Sequence, residues 1–154
     1  MIKIIGKYIS IISRNKKAYF KKHLAHLDIG EGQYIILIQL FKNSTLTQEQ
    51  LAEILVANKA TITRALQCLN KKGFVNVKKN DNDRRENIIT LTDKAYSIKD
   101  EFFSIIRNWN KKLIEDFDEL EKQKLFEFLD KITDKAIFMN KGISKHGQNG
   151  FNKR

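Results

Sequence analysis

The segment from Asn58 to Lys72, NKATITRALQCLNKK, places long hydrogen-bonding side chains and small methyl-bearing ones at helical spacing. At about 100° per residue, Ala65, Leu66 and Leu69 fall within about 60° of Ile62, so one side of the helix is apolar. The opposite side carries Ala60, Arg64, Gln67 and Lys71, flanked by Thr61, Thr63 and Cys68. Those residue types have a definite chemistry. An arginine fork fits the two acceptors of guanine, a glutamine amide fits the donor–acceptor pair of adenine, and Thr or Ala methyls fit the thymine methyl. No acid occurs between Asn58 and Asp81, so the outer face is more than a mixed solvated surface.

A second cluster follows in Lys79-Asn80-Asp81-Asn82-Asp83-Arg84-Arg85, a polar run of residues that tolerate turn backbone. Two adjacent arginines at a turn serve no core. They suit the negative potential of a narrow minor groove, with Asp83 bracing one of them by an ion pair. Without this tip, the helix at 58–72 would read equally well as an ordinary amphipathic helix with a basic outside.

Other reactive types point nowhere so definite. His23 and His26 are three apart, but no third metal ligand accompanies them. Cys68 is the only cysteine, which excludes a disulfide within one chain and suits a reducing compartment. Asp116, Asp118, Glu119 and Glu121 sit together where a helix begins, and capping accounts for them. With no nucleophile–base pair, phosphate loop or carboxylate pair in a cleft, the chain reads as a non-enzyme needing no cofactor.

The elements that must hold these residues can be read from periodicity. Residues 2–27 predict a long helix with Ile4, Ile5, Tyr8, Ile9, Ile12, Tyr19, Phe20 and Leu24 at three- and four-residue spacing, broken by Asp28-Ile29-Gly30. Residues 31–42 predict a largely buried second helix. Thr47-Gln48-Glu49-Gln50 is a capping box that starts a short third helix, and Val56-Ala57 is a tight turn. Asn58 caps the helix over 59–72, which Gly73 ends. The period then changes to two: strands at 74–78 and 86–91 flank the polar run and make a hairpin. A long helix over 92–117 and a last one over 119–139 follow, and the chain from Asn140 reads as a frayed basic tail. The expected fold class is therefore mainly α with a small β-hairpin wing, a winged helix-turn-helix with terminal dimerisation helices. The expected division is 1–30 and 92–139 as the helical dimerisation region, 31–91 as the DNA-binding domain, and 140–154 as a disordered tail.

The 154 residues carry a formal charge of +11, and residues 1–27 hold seven basic side chains and no acid. A polyanionic partner follows from that surplus. No apolar run approaches the roughly 20 residues of a membrane span, and the interrupted N-terminal stretch has no cleavage signal, so a cytoplasmic protein is expected. Binding to a membrane surface through the first helix is disfavoured, because its apolar face is needed elsewhere.

The stretch LTQEQLAEILVANKATITRALQCLNKKGFVNVKKNDNDRRENIITLT resembles the winged helix of the MarR (multiple antibiotic resistance regulator) family. The resemblance rests on the Leu46-Thr47 opening, the helix end at Leu69-Asn70-Lys71-Lys72-Gly73-Phe74-Val75, and Asp83-Arg84-Arg85 closed by Leu91-Thr92. It implies a sequence-specific transcriptional regulator, read as a repressor, acting as a homodimer on a pseudo-palindromic duplex. Lys59, Ala60, Thr61, Thr63, Arg64 and Gln67 match the reading helix and Arg85 the minor-groove arginine. Lys71, Lys79 and Arg84 fit phosphate contacts, and Asp83 belongs to the same set. Family members release DNA when a small aromatic acid enters a crevice, for which Arg14, Tyr34 and Trp109 are the candidates, with core packing as the plainer role of the two rings. The wing tip departs from the family by lacking proline and glycine, and Ala95 stands where glycine is usual. The alternative is a DNA-architectural or RNA-binding module without ligand response.

Overall fold

The computed structural model describes residues 4–81, 83 and 86–141. The chain divides into two compact units after Trp109. The first is built from α1 (Ile5–His23), α2 (Gln33–Asn43), β1 (Thr45–Thr47), α3 (Gln48–Ile54), α4 (Lys59–Lys71), β2 (Val75–Lys79), β3 (Asn87–Leu91), α5 (Asp93–Ser97) and most of α6 (Lys99–Leu113). The second holds the end of α6 and α7 (Glu119–Lys141). None of the described helices is long and apolar enough to cross a membrane.

Local signals start and stop the helices as expected. Thr47 Oγ1 accepts from Gln50 N at 3.1 Å while Gln50 Oε1 accepts from Thr47 N at 2.8 Å, a complete capping box. Asn58 Oδ1 accepts from Thr61 N at 2.8 Å and starts α4. At the other end, Gly73 has φ +76°, and Gly73 N and Phe74 N donate to Asn70 O and Leu69 O. That pair of bonds is a Schellman ending, which needs a residue at ease in left-handed backbone. Asp118 and Glu121 reciprocate side chain to backbone at 2.8 and 3.0 Å, opening α7.

Some boundaries differ from the sequence reading. The first helix stops at His23; a 3-10 turn, Ala25–Leu27, and left-handed Asp28 (φ 57°) follow, with Leu24 buried at the corner. The helix expected over 92–117 is two helices, interrupted at Ile98, and it ends at Leu113. At the break, Ser97 Oγ donates to Lys94 O at 2.8 Å, a local side-chain bond that competes with helix continuation. Asn140 and Lys141 still belong to α7, so the tail starts later than expected; residues 142–154 lie outside the described residues.

β1 was not foreseen. It pairs antiparallel with β3 (Thr45 opposite Thr90, Thr47 opposite Ile88), and β2 pairs with the other edge of β3 (Val75 opposite Leu91, Lys79 opposite Asn87). The hairpin is thus two strands of a three-stranded sheet, order β1-β3-β2. Ile89 in the middle strand is fully buried, joining Leu37, Leu40, Leu51, Leu69, Phe74 and Phe102 in one core. Because β3 is flanked on both sides, the base of the wing is fixed to the helix-turn-helix rather than projecting alone.

Candidate nucleic-acid interface

α4 buries Ile62, Leu66 and Leu69 in the core and turns Ala60, Thr61, Arg64, Gln67 and Lys71 outward, all exposed. Thr63 lies between the two faces, half-buried. The polarity expected from the sequence is the one observed. Its cause is simple: three large aliphatic side chains at positions i, i+4 and i+7 leave a 13-residue helix only one way to face a core. Arg64, exposed on this face, donates from Nε back to Ala60 O at 3.3 Å.

Lys59 opens α4 and is fully exposed, but it is not alone. Its Nζ lies 2.7 Å from Glu49 Oε1 on α3. The hydrogen bond to Glu49, its charge, and more distant Glu53 hold the Lys59 ammonium above its ordinary pKa. Gln48, beside Glu49, donates from Nε2 to Thr63 Oγ1 at 2.5 Å and accepts at Oε1 from Asn87 Nδ2 of β3 at 3.5 Å. Gln48, Glu49, Lys59, Glu86 and Asn87 line an open cleft of about 230 Å³ where α3, α4 and the wing meet. Sequence reasoning assigned Gln48 and Glu49 only to helix capping and gave Asn87 no role; these contacts join residues 10 to 39 apart, which no local spacing signals.

On the wing, Lys79 is exposed at the end of β2. Asn80 N donates to Glu86 O, Asn80 Nδ2 to Glu86 Oε2, and Glu86 N to Asp83 O, which closes the described part of the turn. Arg84 and Arg85 lie outside the described residues, so the expected brace by Asp83 does too.

Of the expected crevice residues, Tyr34 and Trp109 are brought together around Phe20, with ring centroids 4.5 and 5.9 Å from it. Tyr19 completes the stack on Trp109 at 4.9 Å. Tyr34 is 9% exposed, and burial together with the nearby Glu31 charge raises its phenol pKa above the ordinary 10.0. Arg14 is exposed on α1. The two histidines part company: His23 packs on the Tyr19 ring at 4.1 Å, while His26 Nε2 pairs with Glu101 Oε1 at 2.6 Å. Cys68 is exposed on α4.

Two short helices joined by a tight turn, a second helix with a cationic and amide-bearing outer face, and a hairpin tied to both define a winged helix-turn-helix protein. Residues 29–87 match the MarR family model, and the chain is similar to DNA-binding transcriptional regulators of that kind. The organic hydroperoxide resistance transcriptional regulator of Bacillus subtilis (strain 168) is 29% identical over 126 residues, 80% of this chain and 85% of its own. A MarR transcriptional regulator from Methanosarcina mazei Go1 is 28% identical, with a TM-score of 0.81 over 88% of this chain and 97% of its own. A MarR-family regulator from Listeria monocytogenes, solved with a 26mer DNA, is 25% identical, with a TM-score of 0.83 over 96% of this chain and all of its own (100%).

Proposed function

We propose that this regulator acts in the cytoplasm as a homodimeric repressor that reads a pseudo-palindromic operator. The observation that carries the reading is the outward face of α4, where Arg64, Gln67 and Lys71 stand exposed over a helix anchored by Ile62, Leu66 and Leu69. Arg64 and Gln67 are the base readers, with Ala60, Thr61 and Thr63 supplying methyl contacts. Lys59, Lys71 and Lys79 meet phosphates, which position the protein without specifying sequence. Arg85 enters the minor groove, Arg84 meets a phosphate as Lys71 and Lys79 do, and Asp83 belongs to the same set; this assignment rests on the sequence alone.

The dimer is supported by apolar side chains that a single chain leaves in water. On α1 these are Ile5, Tyr8, Ile9 and Ile12, each more than half exposed, and on α7 they include Phe126, Phe128 and Phe138. Faces of that size in a regulator are interfaces, and a second copy covers them. Residues 1–30 and 92–139 would then form the dimerisation region and 31–91 the reading domain. Two-fold symmetry puts the two α4 helices about one duplex turn apart, roughly 34 Å.

The release signal we infer is a small aromatic acid, held by the Arg14 guanidinium and the rings of Tyr34 and Trp109. Tyr34 and Trp109 already enclose Phe20, so entry requires that stack to open and would disturb α1 and also α2, which belongs to the reading domain. The experiment that tests the whole reading is selection of bound sites from random duplex DNA by the purified protein. Recovery of an inverted repeat with half-sites one turn apart is the expected result; recovery of unrelated sequences refutes it and leaves an architectural binder.

A further inference from the structure

Thr63 lies on α4 between the buried and the outer face, half-buried. A threonine in a helix divides between two rotamers, because its hydroxyl can donate to the carbonyl three or four residues back. Here Thr63 Oγ1 donates to Lys59 O at 2.7 Å, and Gln48 Nε2 donates to Thr63 Oγ1 at 2.5 Å. The hydroxyl hydrogen is spent on the backbone and one lone pair on the amide, so the group can no longer donate to a phosphate or to a guanine edge. What this rotamer leaves for a partner is chiefly the methyl. Gln48 is held in turn by its own helix, where it follows the Thr47 cap, and by Asn87 Nδ2 of the wing strand at 3.5 Å.

We propose that Gln48 is a positioning residue for sequence reading: it locks Thr63 in the rotamer that offers DNA a methyl group, and thereby makes one base pair in each half-site a thymine-methyl contact. The proposal rests on the reading that the outer face of α4 meets a duplex. It assigns the discriminating chemistry to the 5-methyl of thymine, an apolar group that a methyl recognises and a hydroxyl does not. Gln48 itself need not touch DNA.

The test uses the full-length protein and the duplex recovered by selection, with each thymine of the half-site replaced in turn by uracil, which removes the methyl and nothing else. Wild type is expected to bind one such uracil duplex about three- to tenfold more weakly than the thymine duplex, and Thr63→Ser, which lacks the methyl, to lose that difference. Gln48→Ala is expected to lose it too, with an unchanged melting temperature and oligomeric state. Gln48→Met keeps the length of the side chain but has neither an N–H to give nor an oxygen to accept the Thr63 hydroxyl, so it serves if the alanine variant does not fold, and it too should lose the difference. Retention of the wild-type thymine preference by a folded Gln48 variant would overturn the proposal, as would a wild type indifferent to uracil everywhere. If no duplex is selected at all, the failure belongs to the DNA-reading assignment and not to Gln48.

Discussion

Leu66 and Gln67 are neighbours in sequence and opposite in fate, and replacing each by alanine tests the orientation of α4 on which the site depends. Leu66 is 3% exposed within the core, whereas Gln67 is exposed. Leu66→Ala removes buried carbons and leaves a cavity, a change that costs about 2–5 kcal/mol depending on how far the surroundings collapse. Leu66 is walled by secondary structure on α2, α3 and the sheet, so relaxation is restricted, and about 3 kcal/mol is the expected loss. For a chain of this size that lowers the melting temperature by about 6–12 °C. Gln67→Ala exchanges an exposed residue for the best helix former and should change stability by no more than about 0.5 kcal/mol. The effects on DNA run the other way. Gln67→Ala should weaken the selected operator by about 1–3 kcal/mol per half-site, while Leu66→Ala, assayed below its melting temperature, should keep the wild-type base preference. Thermal unfolding followed by circular dichroism and equilibrium titration of labelled duplex measure both arms. If Gln67→Ala proves as destabilising as Leu66→Ala, the helix is turned the other way and the assignment of reading residues falls with it.

Arg64→Ala should cost about 1–3 kcal/mol at the selected site and relax the preference at one base pair, measured by competition with single-base variants. Lys79→Ala should weaken all duplexes alike and reduce the slope of log affinity against log salt by about one; an unchanged slope removes Lys79 from the phosphate contacts. Ile9→Asp places a charge in the exposed apolar face of α1 and should shift the protein from dimer to monomer in analytical ultracentrifugation, with little change in the melting of the reading domain. Tyr34 has its pKa raised in the folded state, first by burial and then by Glu31, so the folded protein holds that proton more tightly than the unfolded chain. Stability from this group is full below the unfolded value of 10.0 and falls as pH rises above it, and phenolate absorbance should show one tyrosine ionising late. Tyr34→Phe should remove that part of the alkaline loss.

What could be read from the sequence was what neighbours within about five residues decide. Thr47, Asn58, Gly73 and Asp118 each cap a helix through bonds to residues three to five positions away, so their type and place were legible. The apolar stripe Ile62-Leu66-Leu69 was legible for the same reason, and with it which face of α4 is buried and which is exposed. β1 was not: Thr45-Leu46-Thr47 alternates as a strand should, but three residues carry too little signal, and only pairing with β3, more than 40 residues on, makes it one. The interruption at Ile98 carries neither glycine nor proline to announce it.

The same limit bears on the charge of the interface. Counting along the chain, Asn58 to Asp81 has no acid and reads as uniformly basic. In three dimensions Glu49 lies against Lys59, and Glu86 lines the same cleft. An exposed pair of this kind adds little to stability, yet it would reduce what Lys59 can offer a phosphate, since the ammonium must be shared or released first. The surface around α4 is therefore less cationic than its linear sequence, and on the proposed reading base contacts from Arg64 and Gln67 would carry a larger share of the affinity. A protein whose net charge of +11 would favour indiscriminate attachment keeps Glu49 and Glu86 beside α4, and if that helix reads DNA as proposed, they would weaken attachment to every sequence alike while leaving the contacts that tell sequences apart untouched.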